Sequence, residues 1–163
     1  MPEAVTAYVA LGSNLDDPCT QVERGFAALA MLPRTALHAR SRLYRTPPWG
    51  VLEQPHFVNA VARIETELSP RELLDALLAI EARAGRLRGT PNGPRILDLD
   101  LLLYGEVVLH APGLTIPHPR LRERAFVLLP LADLAPGLEV PGQGRVADLL
   151  ANVDASGCIP LVD

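Results

Sequence analysis

Gly93-Pro94-Arg95-Ile96-Leu97-Asp98-Leu99-Asp100-Leu101-Leu102-Leu103 reads as a strand with Leu97, Leu99, Leu101 and Leu103 on one side and two carboxylates on the other. Side chains alternate faces in a strand at about 3.3 Å per residue, so Asp98 and Asp100 point the same way with Cα atoms roughly 6.6 Å apart. Charge in so apolar a strand is costly unless something partners it. At that spacing two carboxylates can share a pair of Mg²⁺ ions, which in two-metal sites lie about 3.5 to 4 Å apart. The plainer reading puts both acids on the solvated face of an edge strand. The residues ahead of them favour the chemical one, because Gly85-Arg86-Leu87-Arg88-Gly89-Thr90-Pro91-Asn92-Gly93 leads directly to Arg95. Carboxylates for a hard cation and arginine forks for phosphate oxygens are the two halves of a nucleoside triphosphate site.

Outward from that strand, strand and helix signals are interspersed. Thr6 to Leu11 alternates as a first strand ending at Gly12-Ser13-Asn14. Asp16-Asp17-Pro18 supplies cap candidates and a proline at a helix start, and Val22, Phe26 and Leu29 recur at helical spacing. Leu37, Ala39, Ser41 and Leu43 mark one face of a second strand, with His38, Arg40, Arg42 and Tyr44 opposite. Arg45-Thr46-Pro47-Pro48-Trp49-Gly50 is too rich in proline for a regular element and reads as a long loop, a common place for function. Val58, Ala60, Ala62 and Ile64, alternating with Asn59, Val61, Arg63 and Glu65, give a third strand. Ser69-Pro70-Arg71-Glu72 has the form of a capping box opening a helix that Gly85 ends, with Glu81 on its apolar stripe. A carboxylate there needs a partner unless it snorkels out at the edge of the stripe. Further on, Tyr104-Gly105-Glu106 turns the chain, Pro117-His118-Pro119 begins an irregular segment, and Ala125 to Leu134 and Val146 to Asn152 read as helices. The turn at Gly105 permits a hairpin, so the expected class is α+β, with a mainly antiparallel or mixed sheet and helices packed on its faces.

With 163 residues, 48% hydrophobic and 21% charged, residues 1–163 suit one globular domain with a substantial core. A net charge of −4 counts against a general nucleic-acid binder, while local arginine clusters still suit small anions. All 15 basic residues are arginine, so the Gly-Lys-Ser/Thr of a P-loop is absent and phosphate must be held another way. Cys19 and Cys158 match no metal-ligand spacing and are too few for a disulfide framework, which fits a reducing compartment. No apolar run approaches the roughly 20 residues of a membrane span, and the first residues lack a basic segment followed by an apolar one. The expectation is a soluble, cytoplasmic protein without a membrane or nucleic-acid partner.

Ala10-Leu11-Gly12-Ser13-Asn14-Leu15, Tyr44-Arg45-Thr46-Pro47-Pro48, Gly93-Pro94-Arg95 with Asp98-Leu99-Asp100, Leu114-Thr115-Ile116-Pro117-His118 and Arg124-Ala125-Phe126 succeed one another along the chain. In that order and nearly that spacing, the chain resembles the 6-hydroxymethyl-7,8-dihydropterin pyrophosphokinase family from about Tyr8 to Pro136. The resemblance implies a ferredoxin-like α+β sandwich, usually monomeric, that moves a diphosphoryl group from ATP to a pterin alcohol with two Mg²⁺ ions. It implies metal ligands at Asp98 and Asp100 and catalytic arginines at Arg86 and Arg95. ATP contacts are implied at Glu81, Arg88, Thr115, His118, Arg124 and the backbone near Leu101. For the pterin it implies a sandwich between Phe57 and Phe126, with Asn59 and the backbone around Thr46 and Pro47 reading the ring's polar edge and Trp49 closing over it. Flat heteroaromatics suit such stacking, although core packing is the plainer reading of either phenylalanine.

Some positions depart from the family pattern. Asn92, on the pterin side ahead of Gly93-Pro94-Arg95, stands where an aromatic is usual, so closure of the site falls more to Trp49 or Arg88. Pro119 and Leu78 also replace common aromatic and polar residues, which bears on ATP affinity rather than on reaction type. Two other classes are compatible with the residues: another Mg²⁺-dependent nucleotide-using transferase, releasing ADP or pyrophosphate instead of AMP, and a ferredoxin-like binding module without turnover.

Overall fold

The acidic strand is β5 (Asp98–Tyr104), and it forms one edge of a six-stranded sheet. The computed structural model of the chain describes residues 3–47, 55–85 and 96–161. Beside β5 lies β1 (Val5–Ser13), then β4 (Phe57–Thr66), β3 (Tyr44–Thr46) and β10 (Ile159–Pro160), with β2 (Thr35–Arg40) also paired to β4. Every one of these pairings is antiparallel. Two β-α-β passes, through α1 (Pro18–Ala30) and α2 (Pro70–Arg83), bring β1 and β4 to the centre, which is the ferredoxin-like arrangement that the resemblance implies.

Alternation along the central strands creates two cores. Val9, Leu11, Ala60, Ala62, Ile64, Leu97, Leu99 and Leu101 face α1 and α2, meeting Val22, Phe26, Leu29, Leu73, Leu77 and Ile80. The other face turns Tyr8, Ala10, Val61, Leu102 and Leu103 toward α3 (Ala125–Leu134) and α4 (Val146–Ala151), against Val127, Leu128, Leu131 and Val146. The helix from Pro70 opens with the capping box read in the sequence, Ser69 Oγ accepting from the Glu72 N–H while Glu72 accepts from the Ser69 N–H. Beyond it Gly85 adopts φ of 86°, a conformation that glycine supplies without steric cost.

Four local expectations change. Leu103 does not share the face of Leu97, Leu99 and Leu101, because the β1–β5 register shifts there: Tyr8 opposes Leu103 while Val9 opposes Leu101. The extra residue in the ladder, Leu102, reverses the phase of the strand beyond it. The second strand is two strands, since Ser41 inserts its hydroxyl at the Val61 N–H (2.9 Å) and interrupts the alternation. Tyr44 is consequently buried at 1% exposure instead of standing on the polar face. Asp17 sits at φ 61° without capping the helix backbone, and its carboxylate accepts from Thr20 Oγ1. The chain after Gly105 does not return along β5; β6 (Leu109–Ala111) pairs instead with β7 (Leu114–Ile116), and further on β8 (Glu139–Val140) pairs with β9 (Gly144–Arg145).

Candidate active site

One transverse row of residues crosses the sheet. Tyr44 opposes Asn59, Asn59 opposes Gly12, and Gly12 opposes Asp98. Neighbouring strands lie about 4.8 Å apart, so Asn59 and Asp98 stand roughly 10 Å apart with only a glycine between them. Asp100, two residues on from Asp98, shares its face, and Phe57 and Thr46 flank the row on the face of Asn59 and Tyr44. This is the face covered by α3, whose N-terminal end carries Arg124 and Phe126.

At the β3–β4 end of the row, Asn59 Nδ2 donates to Thr46 Oγ1 at 2.6 Å, and both residues are buried. The amide's remaining oxygen therefore lies over Gly12, where a Cβ would approach it to 2.6 Å. Phe57 and Phe126 are both half-buried, one on β4 and one on α3. At the edge beyond β5, a cleft of about 280 Å³ is lined by Leu99, Asp100 and Leu101 on one side and Leu114, Thr115 and His118 on the other. Leu101, Thr115 and His118, three of the residues the resemblance assigns to ATP, thus meet in one place. Arg124 bridges the regions: its Nη1 is 3.9 Å from Asp100 Oδ2 and its guanidinium carbon 5.5 Å from the Phe126 ring centre.

A family model described as 7,8-dihydro-6-hydroxymethylpterin-pyrophosphokinase matches residues 8–136. The chain belongs to this family. It is 52% identical over 144 residues to the 2-amino-4-hydroxy-6-hydroxymethyldihydropteridine pyrophosphokinase of Pseudomonas aeruginosa, covering 88% of this chain and 89% of that one. The Haemophilus influenzae enzyme of the same name is 45% identical, with 90% and 91% covered. Among solved structures, an HPPK-DHPS in complex with substrates superposes with a TM-score of 0.72 at 13% identity, over 93% of this chain and 43% of that one. Wild-type Plasmodium falciparum HPPK-DHPS with pteroate gives 0.70 at 14% identity, over 93% and 42%. These two likenesses concern the fold, and the chain spans less than half the length of either.

Within this family frame, the donor set at Asp98 and Asp100 suits Mg²⁺. Both side chains are partly exposed, and the paired strand holds them two residues apart. Among the described residues no group of three or more His, Cys, Asp or Glu forms a complete cage. Mg²⁺ at phosphoryl-transfer sites takes one or two carboxylates and fills its other positions with water and substrate phosphates, so two carboxylates beside an open cleft fit it.

Glu81, 2% exposed on α2, lies on the other face of the sheet and finds its partner in β5 itself: Oε2 accepts from the Leu99 N–H at 2.7 Å. An edge-strand donor between the two acids is thereby satisfied from beneath. Glu81→Leu should destabilise the protein by about 1–3 kcal/mol, the cost of orphaning a buried donor, while Glu81→Gln, which keeps an acceptor, loses less; urea titration of both checks this.

The His118 imidazole is pushed down to about pKa 4, first by burial and then by the positive charge of Arg124, against the pull of Asp98. Its Nδ1 accepts from the Arg120 N–H at 3.1 Å, so the neutral ring carries its proton on Nε2 as a donor for an anionic ligand. Between pH 6.5 and about 4 the unfolded chain binds this proton and the native chain does not, so stability falls as pH falls through that window. Wild type should lose more stability than His118→Gln from pH 7 to pH 4.5, measured by urea unfolding in chelator.

Trp49, Arg86, Arg88, Asn92 and Arg95 lie outside the described residues. Sequence reading missed Gly12 as a packing partner of Asn59, although it marked Gly12-Ser13-Asn14 as the end of the first strand. It also missed Asn14, buried and donating to the Pro55 carbonyl at 3.0 Å, which ties the end of β1 to the approach of β4.

Proposed function

We propose that this chain transfers the diphosphoryl group of ATP to the hydroxyl of 6-hydroxymethyl-7,8-dihydropterin, yielding AMP and the pterin diphosphate in folate biosynthesis. The observation that carries the reading is the row from Asn59 across Gly12 to Asp98, a hydrogen-bonding edge and an acidic pair on one face about 10 Å apart. Asn59 and the Thr46–Pro47 backbone hold the polar edge of the ring, and Phe57 and Phe126 stack on its faces. The pterin's hydroxymethyl arm then extends over Gly12 toward Asp98 and Asp100. Thr115 and the His118 Nε2–H donate to phosphate oxygens in the cleft, and Arg124 adds positive charge beside Asp100. By the resemblance, Arg86 and Arg95 serve as the catalytic arginines, where planar forks suit charge spread over equatorial oxygens, and Arg88 as an ATP contact. Two Mg²⁺ ions on Asp98 and Asp100 would supply charge neutralisation and a lowered pKa for the substrate hydroxyl. The hydroxyl oxygen loses its proton to solvent and bonds to the β-phosphorus, the bond from that phosphorus to the α,β-bridging oxygen breaks, and AMP departs. Catalysis by this chain is chiefly alignment and electrostatics.

A single domain acting as a monomer in the cytoplasm on two small molecules is the reading that the resemblance supports, and no described helix is long and apolar enough to cross a membrane. The test is product identity from ATP with and without the pterin, in Mg²⁺ and in excess chelator. Pterin- and Mg²⁺-dependent AMP is expected; ADP, pyrophosphate or tight binding without turnover would overturn the reading.

A further inference from the structure

The two walls of the proposed pterin slot come from different layers: Phe57 and Thr46 from the sheet, Phe126 from α3. Val127, Leu128 and Leu131 hold α3 on the sheet by apolar contact, which is strong but without direction. A directional contact lies at the far end of the helix. Asp133, seven residues and about 10.5 Å beyond Phe126 along a helix axis, receives the Tyr44 hydroxyl at 2.9 Å on Oδ1 and 2.8 Å on Oδ2. Arg42 closes the triangle, with Nη2 at 2.9 Å from Tyr44 Oη and 3.0 Å from Asp133 Oδ1 and with Nε and the backbone N–H each 3.3 Å from Oδ2.

We propose that this Tyr44–Asp133 contact is a positioning element that sets how α3 sits over β3, and thereby the width of the pterin slot. The inference rests on the reading that the pterin lies between Phe57 and Phe126. Tyr44 suits the task because it is nearly fully buried and stands in the same row as Asn59, two residues from Thr46 on the same face. Its strand is also held from the other side by β10, with Pro160 opposite Tyr44 and the Leu161 N–H on the Leu43 carbonyl at 2.8 Å. With β3 fixed at both flanks, the helix is the partner that moves when the contact is lost. Burial, reinforced by the hydrogen bond to Asp133, pushes the Tyr44 hydroxyl up to about 12, so it remains a donor throughout the working range. Shifts of about 1 Å in positioning groups can cost on the order of a hundredfold in function.

The experiment measures dissociation constants of the full chain for the pterin and, separately, for a non-hydrolysable ATP analogue. Tyr44→Phe, which keeps the ring volume, and Asp133→Ala are each expected to weaken the pterin about tenfold and the ATP analogue less than twofold. The double variant should be no worse than Asp133→Ala, because the contact that Tyr44→Phe removes is among those already lost with the carboxylate. Phe126→Ala is the control for the slot itself. If Phe126→Ala weakens the pterin while Tyr44→Phe leaves it unchanged, the positioning role is overturned and the slot stands. If Phe126→Ala has no effect, the slot and the positioning role fall together. Equal weakening of both ligands, or a lowered urea midpoint with neither affinity changed, would make the contact a general support and overturn the proposal.

Discussion

Asp98→Ala and Asp100→Ala are each expected to reduce AMP formation to background, with the ATP analogue losing its Mg²⁺-dependent component of affinity. The two acids are fixed by backbone pairing, Asp98 opposite Gly12 and Asp100 opposite Ala10, so neither can be replaced by a neighbour leaning across. The flanking residues Leu97, Leu99 and Leu101 are buried on the opposite face and anchor the strand, which makes the acids' spacing a property of the fold rather than of side-chain rotamers. On the proposed reading, loss of either carboxylate halves the protein ligands available to the cations that would align the triphosphate. The two variants should differ in one respect. Asp100 lies 3.9 Å from the Arg124 guanidinium, whereas Asp98 is cross-strand from a glycine. Asp100→Ala is therefore expected also to weaken chelator-resistant ATP binding by releasing Arg124 from its place beside the cleft. Wild-type turnover in either variant would remove the metal assignment, and titration of Mg²⁺ against each by calorimetry would show which ligand was misread.

The strands and helices were legible wherever one periodicity ran uninterrupted. Val58 to Glu65 alternates without a break and is a strand, the capping box at Ser69 opens α2, and Ala125–Leu134 has the bounds that its apolar run suggests. Reading failed at interruptions that involve a partner distant in sequence. The reversal of Leu103 comes from a register shift against β1, and the burial of Tyr44 from a serine that bonds to β4. Neither leaves a mark in its own local pattern. Asp98 and Asp100 stood out because charge in a leucine-rich strand is conspicuous; Glu81's stripe position demanded a partner, and the resemblance pointed to the nucleotide without naming the Leu99 N–H. Gly12 and Asp133 could not be read at all: one matters for a side chain it lacks, and the other is an ordinary helix carboxylate until Tyr44 is brought beneath it.

Gly12→Ala is expected to damage pterin binding more than any other single-methyl change in the sheet. The backbone at Gly12 is regular strand and carries no positive φ, so conformation alone would tolerate alanine. Space would not: the new Cβ would stand 2.6 Å from Asn59 Oδ1 and 3.6 Å from its Cγ. A flexible side chain could swing away cheaply, but Asn59 is 8% exposed and its Nδ2 is committed to the fully buried Thr46 hydroxyl. Moving the amide breaks that bond and strands a buried polar group, a cost of about 1–3 kcal/mol. The same displacement removes the acceptor proposed to read the pterin, so the Michaelis constant for pterin should rise roughly tenfold to a hundredfold, at 1.4 kcal/mol per factor of ten, with that for ATP within about twofold. The combination Gly12→Ala with Asn59→Ala separates the two effects. Removing the amide makes room for the methyl, so the double variant should be more stable than Gly12→Ala alone while its pterin affinity stays low. If affinity returns with stability, Asn59 supports the sheet rather than the substrate; if neither changes in Gly12→Ala itself, the close approach of the amide to the β1 backbone has no bearing on either.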